Sequence, residues 1–364
     1  MNVALISLLP LDVTGGGELY TLETAQAIAA SGDDVILAAP VRVPPAQTNL
    51  TTRLSTPFVW TDLRSDGSPD VIEWSELLTR LADRDRVWVH QYLATDLVFD
   101  VIASTASDQD LLLTSLGFEP LRAVFTDLYQ PCHRHHVVEI SAYAARRAGA
   151  YARHASWAHA AIWRSDLGVI DDCDRRGHEY LALGRVLPHK GLETTIDALE
   201  PDEVLHIVGP APDDAYASFL RERGRDKHVQ FHGCLPRADV RQLIKQTTGL
   251  ISASTHQLFD GRLIEQPELL GLVLCEALRD GTLPVASDVP AYREVMGSVG
   301  LTDWTFHEGD TQGLRGCLSR LAALPANGRR ERITAARESL AAKFAWDDYW
   351  PRVCARIEDT SRCA

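Results

Sequence analysis

The sequence predicts an α/β protein with two parallel-sheet domains, and three observations support this class. With 364 residues, 45% of them hydrophobic, the chain is long enough for two domains that each bury a core. An apolar run at residues 3–9 is followed by a glycine turn at residues 15–17 and a helical pattern over residues 18–30. The same succession of strand, turn and helix begins again near residue 180.

Short apolar runs that alternate with helical stretches indicate parallel strands joined by right-handed crossovers, in sheets covered on both faces. In the first half we expect strands at residues 3–9, 35–39, 87–89 and 111–114. In the second half we expect strands at residues 180–183, 204–208, 229–232, 249–252 and 283–286. Two further helices are expected at residues 192–199 and 272–280.

The charge balance and the cysteines limit the class of partner and the compartment. The 36 basic and 50 acidic residues leave a net charge of −14, which argues against a nucleic-acid partner and against a surface that relies on anionic lipid. The seven cysteines are scattered, without a close pair typical of zinc or redox motifs. No apolar run reaches membrane-spanning length and no signal-peptide pattern opens the chain, so we expect a soluble, cytoplasmic protein without stable membrane insertion.

The most informative segment is a pair of carboxylates, Glu268 and Glu276, with a glycine between them. A helix that starts at Leu272 would place free N–H groups and a positive dipole end beside Gly271, where they can hold a phosphate without a metal. Glu268, before the helix, and Glu276, in its second turn, can accept hydrogen bonds from sugar or ribose hydroxyls. The spacing suggests a nucleotide-sugar enzyme. The alternative is an amphipathic helix whose Glu276 faces water.

A second cluster follows the strand expected at residues 180–183. Arg185 and Lys190 are permanent cations five residues apart, in the run from Gly184 to Gly191. An arginine fork and a lysine point charge that converge would neutralise a diphosphate, and so complement the phosphate-binding helix start. A solvent-exposed turn is the alternative interpretation.

Taken together, these residues resemble glycosyltransferase family 4, a group of retaining, metal-independent sugar transferases with the GT-B fold. The resemblance covers nearly the whole chain and depends on the order and spacing of several short motifs. In chain order the motifs are Gly15-Gly16-Gly17-Glu18, Gly184-Arg185 with Lys190-Gly191, Phe231-His232-Gly233, Ser252-Ala253-Ser254, the Glu268 and Glu276 pair, Gly281 to Ser287, and Glu294. The resemblance implies two Rossmann-like domains that face each other across a cleft.

The resemblance also implies how the site is divided between the domains. Arg185 and Lys190 would bind the donor diphosphate, Glu276 the ribose hydroxyls and Glu268 the transferred sugar. Further donor contacts would come from backbone groups at Gly184, Leu270, Gly271 and Leu272, with the base read near Gly233 and Cys234. The first domain would bind the acceptor, and its cleft would be lined by Gly15, Gly16 and Gly17.

The domain boundaries follow from a polar stretch and from the C-terminus. Residues 166–176 are the candidate linker, which gives an N-terminal acceptor-binding domain of residues 1–165 and a donor-binding domain of residues 166–344. In the family the last helix returns to the N-terminal domain, and the aromatic stretch after residue 345 fits that role. We therefore assign residues from about 345 to 364 to the first domain. Closure of the two domains would complete the site.

The chain departs from the family pattern after the strand expected at residues 111–114. There the family usually has a histidine that contacts the sugar at O6, and Leu116 stands in its place. Because an unpaired buried hydroxyl costs about 1–3 kcal/mol, we expect a donor that is unusual at C6, such as a deoxy sugar or a pentose. Alternatively, His90 at the end of the preceding strand is catalytic and covers this role. A satisfied structural histidine is the other interpretation of His90.

Two further segments have open interpretations. Residues 255–267 are longer than the family's usual connection; they shape the sugar pocket or a lid, or form a surface insertion. A basic run could receive an anionic acceptor, although an exposed helix face is the favoured interpretation; it comprises His133, Arg134, His135, His136, Arg146, Arg147, Arg153 and Arg164. The histidine spacing matches no metal-ligand pattern, and the resemblance implies neither a metal nor another cofactor.

Two retaining routes are open: two displacements through a covalent intermediate, or attack on the face from which the diphosphate departs. We favour the second, since no side chain is an obvious nucleophile, with Arg185, Lys190 and the helix N-terminus stabilising the leaving diphosphate. Alternatives on the same fold are a nucleotide-sugar epimerase or hydrolase and a non-catalytic nucleotide-sugar-binding protein. A dinucleotide-dependent oxidoreductase does not fit, because residues 15–17 depart from G-x-G-x-x-G.

The acceptor and the donor base are the least defined. The first domain lacks the basic amphipathic helix expected of an enzyme that acts on membrane lipid, so we expect a small, soluble acceptor. A specialised metabolite of natural-product biosynthesis fits that description. UDP and GDP sugars are the expected donor classes, and the sequence indicates no oligomeric state.

Overall fold

The computed structural model describes residues 1–11, 15–41, 58–63, 69–90, 95–106, 108–116, 135–150, 152, 154–170 and 175–362. The chain divides into two compact units. Unit 1 comprises Met1–Ala160 and Trp346–Ala364, and unit 2 comprises Ala161–Ala345. Each unit contains a mainly parallel sheet, and the C-terminal segment belongs to unit 1, so the predicted α/β class is confirmed.

Unit 1 is built on an eight-stranded sheet. The strands are β1 Asn2–Ser7, β2 Asp34–Pro40, β3 Phe58–Asp62, β4 Asp70–Ile72, β5 Arg86–His90, β6 Asp110–Thr114, β7 His135–Glu139 and β8 Ala155–Trp157. Their order across the sheet is β4-β3-β2-β1-β5-β6-β7-β8. All pairings are parallel except those of β3 and β4, which form an antiparallel edge to which the sequence analysis assigned no strand.

Helices precede or follow the strands of unit 1 and bury one face each. They are α1 Gly16–Ala30, α2 Trp74–Arg80, α3 Thr95–Ser104 and α4 Ala142–Ala148. Helix α1 buries Tyr20, Thr24 and Ile28, which are spaced four residues apart and therefore share one face. Strand β1 is buried from Val3 to Ser7, as expected of a central parallel strand.

Unit 2 is built on a six-stranded sheet in which every pairing is parallel. The strands are β9 Glu179–Leu183, β10 Val204–Val208, β11 His228–Gly233, β12 Gly249–Ser252, β13 Leu283–Ser287 and β14 Thr305–Phe306. Their order is β11-β10-β9-β12-β13-β14. The sequence predicted the first five of these strands to within one residue at each end.

Seven helices of unit 2 lie in the described part of the chain. They are α5 Leu192–Ala198, α6 Asp214–Arg223, α7 Arg237–Gln246, α8 Leu272–Arg279, α9 Pro290–Ser298, α10 Thr311–Ala323 and α11 Ala326–Lys343. Helix α6 is N-capped by Asp213, whose side chain accepts a hydrogen bond from the Tyr216 N–H group over 2.9 Å. Helix α10 is N-capped in the same way by Asp310, which accepts from the Gly313 N–H group over 2.9 Å. Helices α5 and α8 end one residue earlier than predicted.

The last helix, α12 Tyr349–Arg362, packs on unit 1 through aromatic side chains. The Tyr20 ring contacts the rings of Trp346 and Tyr349, with centroids 4.8 and 5.9 Å away. Trp350 Nε1 donates to Asp33 Oδ2 over 2.6 Å. These contacts explain why an aromatic stretch belongs to the N-terminal unit. Across the described ranges, every helix is too short or too polar to span a membrane.

Candidate functional site

The strand order of unit 2 reverses between β9 and β12, and open parallel sheets bind ligands in the crevice at such a point. A depression that is open to solvent lies at this edge. Its lining includes Gly184, Arg185, Lys190, Leu192, Ser252 and Ala253. The structure therefore brings both predicted cations to the carboxyl end of the sheet, beside the end of β12.

Lys190 is held by a tight turn against β12. It ends a short 3₁₀ helix, and Gly191 follows in the left-handed conformation with φ 58°. A Cβ atom on Gly191 would lie 2.2 Å from the carbonyl oxygen of Ala253, so only glycine allows this approach. The N–H group of Thr255 donates to the carbonyl of His189 over 2.9 Å. The turn is thus fixed to the segment that follows β12.

Glu268 is the centre of a hydrogen-bond network. Its Oε1 accepts from Lys190 Nζ, from Ser254 Oγ over 2.8 Å and from the Tyr292 hydroxyl over 2.8 Å. Burial alone would raise the pKa of Glu268, but the charge of Lys190 and these hydrogen bonds outweigh it and lower the pKa. The carboxylate is therefore ionised at neutral pH. In the described part of the chain its Oε2 has no hydrogen bond, which leaves one acceptor atom for a ligand.

Helix α8 starts directly after a second left-handed glycine. Gly271 has φ 98° and ψ 56°, and Leu270 before it is 1% exposed. The first N–H groups of α8, at Leu272 and Val273, have no partner within the helix because of helix geometry. They can bind an anion, as the sequence analysis expected of this segment.

Glu276 and Arg185 are available for a ligand in different ways. Glu276 is half-buried on α8. Burial raises its pKa, and the positive charges of Arg279 and Arg237 only partly offset that rise. Arg185 is exposed and, within the described residues, makes neither an ion pair nor a side-chain hydrogen bond. A polyanionic ligand with hydroxyl groups would satisfy both side chains.

Three glycines lie at the carboxyl ends of β9, β10 and β11, on the opposite side of β9 from β12. Gly184 follows β9, Gly209 follows β10 and Gly233 ends β11. A Cβ atom on Gly209 would lie 2.0 Å from the carbonyl oxygen of Gly184, and Gly209 donates to the carbonyl of Gly233 over 2.8 Å. The predicted base-reading residues Gly233 and Cys234, the latter exposed, therefore lie at the same sheet edge as Gly184.

The predicted residues of the first domain lie in unit 1. Gly15 precedes α1, and Gly16 and Gly17 form its first turn. His90 ends β5, beside the point where the strand order of unit 1 reverses. Its ring is fully buried, Nδ1 lies 3.0 Å from Thr21 Oγ1, and burial lowers its pKa to about 3. The imidazole is therefore neutral, and its Nε2 has no hydrogen-bond partner among the described residues, so the structure decides neither for the catalytic nor for the satisfied structural interpretation of His90.

The end of β6 carries an unusual backbone and a buried acid. Leu116 is half-buried with φ 47°, a conformation that non-glycine residues rarely adopt. Its neighbour Ser115 donates through Oγ to Glu139 Oε2 over 3.0 Å. Burial raises the pKa of Glu139 to about 7, and its Oε1 has no hydrogen-bond partner among the described residues. Glu139 is 1% exposed, and the sequence analysis assigned no role to it.

One interpretation from the sequence is wrong. The histidine run was expected on an exposed helix face, but His135 and His136 lie in strand β7, and His136 is 2% exposed. Burial lowers the pKa of each to about 4, so neither adds positive charge at neutral pH. Of the arginines in that run, Arg146 and Arg147 lie on α4. His133, Arg134 and Arg153 lie outside the described residues.

Residues 255–267 form a turn that is held at its base. Gln257 pairs with Leu263 in an isolated bridge. The His256 N–H donates to Glu308 over 2.7 Å, and the ring of Phe259 contacts two rings of α6, Tyr216 and Phe219. Its first residue follows Ser254, a partner of Glu268. The segment is therefore fixed directly beside the Glu268 cluster.

Sequence reasoning missed Tyr292. Its hydroxyl lies 2.8 Å from Glu268 Oε1, 2.9 Å from Ser254 Oγ and 2.7 Å from Ser252 Oγ. The two serines were quoted only as part of a motif, and no pattern singled out a tyrosine on α9. The available signal was weak: an aromatic residue in the first turn of a helix that starts at the same sheet edge.

The comparisons with known proteins include one match within unit 2 and others that extend over most of the chain. Residues 175–338 match the family model described as Glycosyl transferases group 1. Over 187 residues the chain is 29% identical to a phosphatidyl-myo-inositol mannosyltransferase of Mycobacterium tuberculosis, a match that covers 49% of this chain and 46% of the relative. In that match the chain spans about half the length of the curated relative. The Mycolicibacterium smegmatis protein of the same name is 25% identical over 318 residues. This match covers 81% of this chain and 78% of the relative.

The fold as a whole resembles solved glycosyltransferase structures. One is the crystal structure of AviGT4, a glycosyltransferase involved in avilamycin A biosynthesis. It superposes with a TM-score of 0.67 at 16% identity, covering 100% of this chain and 99% of that one. This likeness shows the GT-B fold. Residues 175–338, which match the group 1 model, lie within unit 2 of that fold.

Proposed function

We propose that this chain is a retaining glycosyltransferase that moves a sugar from a nucleoside-diphosphate sugar to a small-molecule acceptor. The proposal rests on one cluster at the carboxyl edge of unit 2. There Lys190, the ionised Glu268 and neighbouring hydroxyl groups form one hydrogen-bonded network beside the exposed Arg185. The matched domain of residues 175–338 contains all of these residues.

The chemistry of the cluster fits a donor with two different ends. Cations and free helix N–H groups bind phosphate oxygens, so Arg185, Lys190 and the start of α8 suit the diphosphate. Carboxyl oxygens accept hydrogen bonds, so the ionised Glu268 suits the sugar hydroxyls, and Glu276, on α8, suits the ribose. Gly233 and Cys234, at the end of β11, suit the base. In unit 1, Gly15, Gly16 and Gly17 suit the acceptor.

The route that we favour is attack on the face from which the diphosphate departs. The acceptor oxygen forms a bond to the anomeric carbon as the bond from that carbon to the diphosphate oxygen breaks. The acceptor's proton passes to the departing oxygen. Arg185, Lys190 and the N–H groups of α8 stabilise the negative charge that develops on the diphosphate. A double displacement would need a nucleophile, and Glu268 is the carboxylate to test by Glu268→Gln.

The donor proposal extends to C6 of the sugar. Leu116 offers no hydrogen bond to a C6 hydroxyl, so a deoxy sugar or a pentose suits this site better than an ordinary hexose. The left-handed backbone at Leu116 is a local constraint that supports a specific role for this position. If ordinary hexoses are preferred and Leu116→His changes nothing, this part of the proposal is wrong.

The acceptor is proposed more broadly. The matched mannosyltransferases are named for phosphatidyl-myo-inositol, and the solved structure for avilamycin A biosynthesis. We favour a soluble specialised metabolite, in line with the acidic composition of the chain. Phosphatidyl-myo-inositol is the second acceptor to test. Product mass spectrometry with each acceptor class separates the two, and also separates transfer from epimerisation or hydrolysis, which need no acceptor.

The first experiment is calorimetry with UDP, GDP, ADP and TDP. We expect one of these nucleoside diphosphates to bind, and Arg185→Ala to weaken that binding, because the exposed guanidinium has no competing partner among the described residues. A protein that binds none of the four contradicts the proposal. Binding without any product from a panel of nucleotide sugars would favour the non-catalytic alternative.

A further inference from the structure

Tyr292 joins two parts of the candidate donor site. It lies in the first turn of α9 and is fully buried. Its hydroxyl accepts from Ser252 Oγ and donates to Glu268 Oε1, and it also lies within hydrogen-bond distance of Ser254 Oγ. Burial and the negative charge of Glu268 raise the pKa of Tyr292, so it keeps its proton and remains a donor.

A count of hydrogens fixes the direction of this network. An ionised carboxylate has no hydrogen to donate, so every bond to Glu268 needs a donor. The Tyr292 hydroxyl has one hydrogen, which goes to Glu268; Ser252 then donates to the Tyr292 oxygen. Lys190 and Ser254 supply the other two donors. All three bonds use Oε1, and this arrangement orients the carboxylate while Oε2 stays unbonded in the described part of the chain.

The ring of Tyr292 supports the start of α8. A Cβ atom on Gly271 would lie 2.6 Å from Tyr292 Cε1 and 2.7 Å from its Cδ1. The aromatic ring therefore packs directly against the left-handed turn from which the free N–H groups of α8 extend. One side chain thus contacts both the carboxylate and the turn before the helix.

We propose that Tyr292 is a positioning residue that holds Glu268 and the start of α8 in a fixed mutual arrangement, so that Oε2 is presented to a hydroxyl of the donor sugar. The inference rests on the proposed function. It predicts that the hydroxyl of Tyr292 matters for the sugar part of the donor, and not for the nucleoside diphosphate.

The test is Tyr292→Phe, which keeps the ring against Gly271 and removes only the hydroxyl. We expect the turnover number with the nucleotide sugar to fall about tenfold, the effect of one hydrogen bond to a charged group. Affinity for the nucleoside diphosphate, which lacks the sugar, should stay within about twofold of wild type. Because Glu268 loses a donor, its pKa should rise, and the acidic limb of the turnover profile should move to higher pH.

The matched control is Tyr180→Phe. Tyr180 is also fully buried, and its hydroxyl donates to Glu203 over 3.1 Å, away from Glu268. We expect this variant to lose thermal stability like Tyr292→Phe and to keep wild-type turnover and pH profile. Equal loss of turnover in both variants would overturn the inference, and so would wild-type turnover in Tyr292→Phe.

A second variant covers the case in which Tyr292→Phe does not fold. Ser254→Ala removes another donor to Glu268 Oε1 without touching the ring, and should move the acidic limb in the same direction. An unchanged limb in Ser254→Ala overturns the inference. A wild-type protein that binds no nucleoside diphosphate overturns the proposed function and this inference together, whereas normal binding with unaffected variants overturns the inference alone.

Discussion

The two sheets carry polar side chains at the carboxyl edges of their strands, but the two edges handle charge in opposite ways. In unit 2, Glu268 is ionised because Lys190 and two hydroxyls compensate its burial. In unit 1, burial raises the pKa of Glu139 to about 7 and lowers that of His90 to about 3. Within the described ranges, each of these two side chains has one polar atom without a hydrogen-bond partner.

The difference shows what distinguishes a prepared charged site from a buried polar group. An ionised side chain stays inside a protein only where opposite charge and hydrogen bonds replace water. The unit 2 edge meets that condition before any ligand binds. In unit 1, burial shifts Glu139 toward its neutral form and keeps the His90 ring neutral at pH 7. Among the described residues, the compensated charge of the unit 2 edge agrees with the polyanion site that we propose there.

The largest effect should come from removing the cations of unit 2. Lys190→Ala and Arg185→Ala should each lower turnover about 10²- to 10³-fold, since each removes a group that stabilises the leaving diphosphate. Steady-state kinetics with the nucleotide sugar and acceptor measures this. Lys245→Ala, an exposed lysine on α7, is the control and should match wild type. Near-normal turnover in both Lys190→Ala and Arg185→Ala would contradict the view that the unit 2 edge, unlike the unit 1 edge, is a site prepared for a charged ligand.

The next effect concerns stability and pH in unit 1. The pKa of Glu139 in the native protein, about 7, lies above its ordinary value of 4.5. The contribution of this group to the free energy of unfolding is therefore fully present below pH 4.5 and is lost as the pH rises through 7. Glu139→Gln stays neutral, so relative to wild type it should gain up to about 3 kcal/mol between about pH 5 and pH 8.

Thermal unfolding of wild type and Glu139→Gln across this pH range is the measurement. Glu358→Gln, an exposed glutamate on α12, should show no pH-dependent gain. A Glu139→Gln variant that is destabilised equally at every pH would show that the acid is ionised and paired in the native protein, like Glu268.

A smaller effect should follow from Gly271→Ala. The left-handed φ and the contact with Tyr292 should together cost about 2 kcal/mol of stability and also reduce turnover. Gly300→Ala is the control, because Gly300 also has a positive φ of 74° but no atom within 4 Å of an added Cβ. Its cost should be about 1 kcal/mol, without loss of turnover. Equal effects of both variants would show that the Tyr292 contact is unimportant.

The fold was largely predictable because parallel strands leave long apolar runs in the sequence. Residues 204–208 and 249–252 were assigned as strands with their exact bounds. The antiparallel edge of β3 and β4 was missed since short edge strands have weak patterns. His135 and His136 were misassigned because their polar character suggested exposure, whereas the alternative, burial in neutral form, depends on the tertiary structure.

The candidate site was predictable only in its components. Arg185, Lys190, Glu268 and Glu276 stand out by type and spacing. Their arrangement does not, because the Lys190–Glu268 contact joins residues 78 apart in the chain, and Tyr292 lies 24 residues beyond Glu268. Both cations were expected to bind a ligand; in the structure Lys190 contacts the carboxylate of Glu268, whereas Arg185 contacts no carboxylate of the described residues.

The ion pair of Lys190 and Glu268 means that the pocket contains its own counter-ion. A simple anion such as sulfate or free pyrophosphate must compete with that resident carboxylate for the ammonium group, and it offers the carboxylate nothing in exchange. A sugar nucleotide offers phosphate oxygens to the lysine and hydroxyl groups to the acid at the same time. From this ion pair we expect the proposed site to select against small inorganic anions.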